Sequence, residues 1–198
     1  MRKPLPGIRA HVTMAPRPRP RRPSDGTPPR RAGVLLLLYP FRRSLHLALT
    51  VRPPHLGHHA GQVSLPGGGW EEGDRSLEQT AIREAREELG VALQDLEILG
   101  SLTPLYIPPS HNLVHPFVAH IPRRPQFRPD PREVAELLEV PLWRLMDPVT
   151  RREEEWTLGG MRVRVPYYAV GQHKVWGATA IILAEFIALL TQAEGAMR

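Results

Sequence analysis

Glu84, Glu87 and Glu88 stand at i, i+3 and i+4. On a helix, at about 100° per residue, they occupy roughly a third of the circumference. Like charges so spaced destabilise an isolated helix by a few tenths of a kcal/mol per pair, about the size of a favourable pair, and Arg83 and Arg86 relieve only part of that. A hard divalent cation would relieve more, because Mg²⁺ takes oxygen ligands and is commonly held by a few carboxylates together with substrate phosphates. Three Glu alone also describe a solvated acidic face. Just upstream, Gly67-Gly68-Gly69 can bring backbone amides and carbonyls close to a bound ion or phosphate, although a triple Gly behind Pro66 equally describes a tight turn. Turn and acidic helix together describe one site.

The helix that must carry these carboxylates has clear ends. Asp74 or Ser76 can cap it, Ser76 with Gln79 making a capping box, and Gly90 supplies the stop signal. Leu77, Ala81, Ala85 and Leu89 recur every four residues and define one buried stripe. Ahead of it, residues 33–39 form a short apolar run that predicts a buried strand, and 45–51 its hairpin partner across Phe41-Arg42-Arg43-Ser44. Residues 62–65 predict a third strand. Beyond the helix, 96–104 and 112–121 predict strands, 132–138 a short helix, 161–168 a strand and 178–191 a closing helix. With no regular βαβ rhythm and no repeat, the expected class is α+β, with helices on both sides of a mixed sheet.

Composition bounds the setting. At 198 residues the chain suits one catalytic-sized domain with an appendage. Cys is absent, which excludes disulfides, thiolate metal sites and cysteine nucleophiles and makes cytoplasm the default compartment. The longest apolar stretch, 175–190, is interrupted by Glu185 and is shorter than the roughly 18 to 20 residues a bilayer needs, so no membrane span is expected. Residues 1–31 carry nine Lys or Arg against Asp25 and eight of the 23 prolines; the remaining chain has 17 basic and 19 acidic residues. Such a segment repels itself and has little to bury, so 1–31 is expected to be a disordered basic tail before a domain over 32–192. It could touch a polyanion weakly or simply be solvated, and nucleic acid is not an expected partner. The nine His are scattered, with His58 and His59 on opposite faces of any strand, and neither Ser64 nor Ser110 has a His-Asp arrangement, so a His metal site and serine hydrolase chemistry are not supported.

Gly67-Gly68-Gly69-Trp70-Glu71-Glu72-Gly73-Asp74 through Arg83-Glu84-Ala85-Arg86-Glu87-Glu88-Leu89-Gly90-Val91 resembles the Nudix box. The usual spacing would put a Glu where this chain has Arg75, with Asp74 one residue out of register. That longer turn resembles the coenzyme A diphosphatase branch of the family. Leu49-Thr50-x-Arg52 leading to Gly61-x-x-x-Leu65-Pro66-Gly67-Gly68 is similar to that branch's upstream signature, with departures at Ala48, Pro53, Gly57 and Leu65. Gly57 stands where the signature has Arg, which bears on substrate identity; His55, His58 and His59 could supply positive charge instead. Glu133-Val134, Val140-Pro141-Leu142 and Val175-Trp176-Gly177-Ala178-Thr179 also resemble the family, so the likeness covers roughly 32–190.

The resemblance implies a Nudix fold, an α/β/α sandwich around a mixed β-sheet, acting on a small-molecule nucleoside diphosphate derivative as a monomer or homodimer. It implies Mg²⁺ or Mn²⁺ held by Glu84, Glu87, Glu88 and the carbonyl of Gly68. Arg83 holds the glutamates in place and Asp74 joins through water. The general base comes from the motif helix, where Glu87 is the candidate, or from a downstream loop, where Glu133 and Glu136 are. Arg52, with Gly67 and Gly68, is the expected phosphate contact, since a guanidinium fork grips two oxygens; Trp70 could stack on a base or cover the core. The leading substrate is coenzyme A, cut to 3′-phospho-AMP and 4′-phosphopantetheine, with ADP-ribose or a similar compound as alternative. An inactive binding module is a third reading, against which the intact acidic set argues.

Overall fold

The computed structural model describes residues 4–17, 26–54, 61–92 and 94–196. In chain order the elements are α1 (Ile8–His11), β1 (Arg30–Phe41), β2 (Ser44–Val51), β3 (Val63–Ser64), β4 (Gly67–Gly69), α2 (Leu77–Leu89), β5 (Glu97–Ser101), β6 (Leu105–Ile107), β7 (Asn112–His120), β8 (Glu136–Pro141), α3 (Leu142–Met146), β9 (Arg151–Leu158), β10 (Met161–Val170), β11 (His173–Trp176) and α4 (Gly177–Ala196). The first eight strands form one mixed sheet in which β1 and β7 run parallel and the other pairs are antiparallel; β9, β10 and β11 form a second, antiparallel sheet.

The run of apolar residues in β1 is explained by burial on both faces. Leu35, Leu37 and Tyr39 pack with Ala81, Ala85 and Leu89 of α2, whereas Leu36 and Leu38 pack with Ile181, Leu183 and Phe186 of α4. The triple Gly is itself a short strand, β4, hydrogen-bonded to residues 32–34 of β1. This registers the turn against the sheet before α2 begins. No helix among the described residues is long and apolar enough to cross a membrane.

Two expectations are corrected. Residues 132–138 do not form a helix: a turn at 131–133 leads into β8, which pairs with β2 from Val51↔Glu136 to His46↔Pro141. The pattern misleads because Leu137 and Leu138 face different cores, so apolar residues lie next to one another as they do in a helix-like cluster. The small sheet's β9 and β11 carry no such signal: β9 opens with Arg-Arg-Glu-Glu-Glu and has little apolar content, and β11 is only four residues long.

The second correction concerns residues 1–31. Residues 4–17 are ordered against the domain: Met14 is fully buried, and Glu185 of α4, also fully buried, accepts hydrogen bonds from Gly7 N (3.1 Å), Thr103 N (3.1 Å) and Thr103 Oγ1 (2.6 Å), with His11 Nε2 at 2.8 Å. Burial alone would raise the Glu185 pKa, but the bonds from His11 and Thr103 outweigh it and hold the carboxyl below its ordinary value. Averaging charge over 31 residues concealed Leu5, Ile8, Ala10, Val12 and Met14, which lie ahead of the Arg/Pro run. Most of that run, 18–25, lies outside the described residues. Deleting residues 1–17 strands Glu185 in the interior with only Thr103, a loss on the order of 3 kcal/mol for a broken buried pair. A urea titration should show the midpoint fall accordingly; an unchanged midpoint would make the segment dispensable.

Candidate active site

α2 is capped as its sequence requires. Ser76 Oγ accepts from Gln79 N (3.2 Å), Gln79 Oε1 accepts from Arg75 N (3.1 Å) rather than from Ser76, and Gly90 closes the helix in the left-handed region at φ 59°. One turn into the helix, Arg83 ties the preceding loop to the acidic face. Its Nε and Nη2 donate to the two oxygens of Asp74 (both 3.1 Å), Nη2 also donates to Gly69 O (3.2 Å), and Nη1 donates to Glu84 (3.0 Å) and Glu87 (3.1 Å). Asp74 further accepts from Thr80 Oγ1 (2.9 Å) and Glu71 N (3.1 Å). The Arg83 bonds hold the Asp74 carboxyl well below the usual carboxylate range and push the guanidinium further up.

Glu84 and Glu88 face inward and are joined by Glu133, one carboxylate oxygen of each lying within 4.8 Å of the others. Glu133 is delivered by a turn that Asp130 Oδ1 tightens by accepting from Arg132 N (2.9 Å) and that backbone bonds anchor to its neighbours. Asp130 N donates to Glu88 O (3.0 Å), Val134 N to Asp130 O (2.8 Å) and Ala135 N to Val51 O (2.8 Å), pinning the 130–135 turn between the end of α2 and the end of β2. A methyl group at Gly68 would displace the Glu84 carboxylate from its place; Gly67 N–H bonds Glu88. Burial, then the neighbouring Glu84 and Glu133, raise the Glu88 pKa to about 8, with Arg52 opposing, and burial raises that of Glu84 as well. Glu88 Oε2 and Arg52 Nε are buried without a hydrogen-bond partner among the described residues.

The structure thus brings together Glu84, Glu88, Glu133, Arg52, Gly67 and Gly68, and not Glu87. Its carboxylate is about half exposed and engaged by Arg83. Asp74 is not at the carboxylate cluster either: its four bonds go to Arg83, Thr80 and Glu71. Glu136 pairs instead with His173 (3.0 Å). Trp70 donates Nε1–H to Asp74 O (3.0 Å) and lies under Arg31, which makes it a cover for its own loop. His55, His58, His59 and Gly57 lie outside the described residues. Asp130, whose N–H fixes the Glu133 turn to α2, escaped the sequence reading because a backbone contact leaves no residue-type signal.

An all-oxygen set of three carboxylates, one with an orphaned buried oxygen, fits a hard divalent cation. Because the ligand form of Glu88 is ionised, cation binding must expel its proton. Mg²⁺ or Mn²⁺ affinity should therefore rise up to tenfold per pH unit below about 8 and level off above it. For the metal-free protein the sign is opposite. A folded pKa raised above the unfolded one contributes stability that is complete below about 4.5 and lost as pH rises through about 8. Calorimetric titration with Mn²⁺ at pH 6 to 9, and melting in EDTA over the same range, should show both trends; Glu88→Gln should flatten them. A pH-independent Mn²⁺ affinity would remove Glu88 from the ligand set.

Residues 29–158 match the family described as NUDIX domain. A human protein described as mitochondrial coenzyme A diphosphatase NUDT8 is 36% identical over 165 residues, 82% of this chain and 70% of that one. The uncharacterized Nudix hydrolase NudL of Photorhabdus laumondii is 37% identical over 166 residues, 84% and 87% of the two chains. Among solved structures, the Nudix hydrolase RenU of M. smegmatis superposes with a TM-score of 0.55 at 18% identity over 85% and 88% of the chains. The C. elegans Ap4A hydrolase superposes with 0.57 at 14% identity over 82% and 98%. These two show a shared fold. With the box residues gathered as described and the family matched over 130 residues, this chain belongs to the Nudix family and is a hydrolase of pyrophosphate bonds.

Proposed function

We propose that the protein hydrolyses the pyrophosphate bond of coenzyme A or its derivatives, giving 3′-phospho-AMP and 4′-phosphopantetheine, with Mg²⁺ or Mn²⁺ as cofactor. The observation that carries the chemistry is the Glu84–Glu88–Glu133 cluster beside the orphaned Arg52 Nε. Coenzyme A as substrate is supported by the longer box turn, the upstream signature around Leu49-Thr50-x-Arg52 and the described activity of the human relative.

In this reading Arg52 grips a phosphate with its uncommitted edge, where burial strengthens a charge-assisted bond. Arg83 touches no substrate; it positions Glu84 from one side while Gly68 leaves room for that carboxylate on the other. A cation held by Glu84 and Glu88 would neutralise pyrophosphate oxygens and lower the pKa of the attacking water. Glu133, on a turn rather than on the box helix, accepts the proton as the water oxygen bonds to phosphorus and the anhydride P–O bond breaks. The leaving group is a phosphate, which departs as an anion and needs no acid. Glu87 suits the base role less, because Arg83 already neutralises it. The human relative is described as mitochondrial, so the cytoplasmic expectation draws no support from it.

One observation favours a second reading: Gly57 replaces the Arg of the upstream signature, which weakens the case for a ligand with an extra phosphate and favours ADP-ribose or a similar nucleoside diphosphate derivative. Product analysis with coenzyme A, ADP-ribose, NADH and dinucleoside polyphosphates, each with Mg²⁺ and with Mn²⁺, separates the two. Release of 3′-phospho-AMP from coenzyme A is expected; cleavage of ADP-ribose with coenzyme A untouched would overturn the first. Glu133→Gln should lower kcat on the order of 10²-fold with little change in KM, the usual loss for a general base. An unaltered kcat would move that role elsewhere.

A further inference from the structure

At the opposite end of β2 from Arg52, with Ser44 eight residues and thus about 26 Å away along the strand, the β1–β2 turn and α3 line an open groove of about 530 Å³. Such a volume is within the range of small-ligand sites, about 300 to 1,000 Å³. Arg42 and Arg43 form the two-residue turn, both at positive φ (46° and 62°). A turn of that kind favours Asn-Gly, and two arginines there hold a conformation that L side chains rarely adopt. Among the described residues neither has a carboxylate partner, and Arg42 is held only over the ring of Phe41 (5.0 Å). Arg124 lies over the same ring (4.7 Å), but its Nε and Nη2 are spent on Glu139 (both 2.7 Å). Trp143 also lines the groove and is 57% exposed, and the one acid among the described lining residues, Glu139, is the carboxylate paired with Arg124.

The groove therefore offers a flat apolar face and, beside it, unneutralised guanidinium charge on a strained turn. A free Trp ring stacks on a planar ring, and a guanidinium fork binds a phosphate through two oxygens. A nucleotide carries both features. We propose that this groove is a second binding site, separate from the carboxylate cluster, that takes a nucleoside monophosphate with its base on Trp143 and its phosphate on Arg42. Backbone strain retained at a position that any hairpin could relieve with Asn-Gly is what a binding role would maintain. The site does not depend on which pyrophosphate the enzyme cleaves.

Titration of the full chain with AMP, adenosine and inorganic phosphate in EDTA, followed by calorimetry, tests this while the carboxylate cluster is without metal. AMP should bind at one site at least tenfold more tightly than adenosine or phosphate. Replacing the turn by Arg42→Asn with Arg43→Gly should raise Tm and weaken AMP at least tenfold. Trp143→Ala should weaken AMP similarly while leaving phosphate binding unchanged, and neither variant should change pyrophosphate turnover. The proposal is overturned if AMP does not bind at millimolar concentration, if both variants bind it as the wild type does, or if Arg52→Ala rather than these abolishes binding. Single-stranded RNA binding at least tenfold more tightly than AMP, and lost in the same variants, would make the surface a nucleic-acid contact and also overturn it.

Discussion

The candidate site depends on one guanidinium. Arg83 reaches the loop carbonyl of Gly69, both oxygens of Asp74 and the carboxylates of Glu84 and Glu87. The planar fork fixes the relative positions of loop and helix in a way that a flexible point charge could not. Its anchor on the loop is Asp74, whose side chain is 6% exposed. This accounts physically for the one irregularity of the box: with Arg75 where a Glu is usual, the acid one residue earlier serves as partner of Arg83 rather than as a member of the cluster.

Around that fork two pieces of backbone converge on α2. β4 is registered on β1, so Gly68 lies against the Glu84 carboxylate, which any side chain there would displace. The 130–135 turn is bonded to the last turn of α2 and to the end of β2, which presents Glu133 to the helix. Burial first, and then the neighbouring Glu84 and Glu133, push the Glu88 pKa up to about 8, which favours its protonated form near neutral pH. Loss of that proton links metal binding to pH and ties the site's electrostatics to the stability of the fold.

The box helix and its carboxylates were legible because residue type, spacing and capping all agree in one 15-residue window, from Ser76 to Gly90. Burial of β1 on both faces was legible from its run of four Leu. The place of Glu87 was not: residues at i, i+3 and i+4 share a face, but Glu84 and Glu88 meet Glu133 whereas the Glu87 carboxylate lies about half exposed beside Arg83. Glu133 was in view only as a loop candidate, since backbone bonds that no side chain announces anchor its turn to the neighbours. The ordered N-terminal segment was hidden by neighbouring charge, and its anchor, Glu185, read as an interruption of an apolar helix when it is that helix's most heavily bonded side chain.

The central claim is that Arg83 positions the carboxylates, and its effect on cation binding separates geometry from charge. Removing a cation beside an acidic cluster should, on Coulomb's law alone, make Mn²⁺ bind more tightly. If Arg83 sets the geometry, Arg83→Gln should instead weaken Mn²⁺ binding at least tenfold in a paramagnetic resonance titration at pH 8.5, where Glu88 is mostly ionised. Affinity equal to or above that of the wild type would contradict the account and leave Arg83 as a surface charge of no consequence for the site.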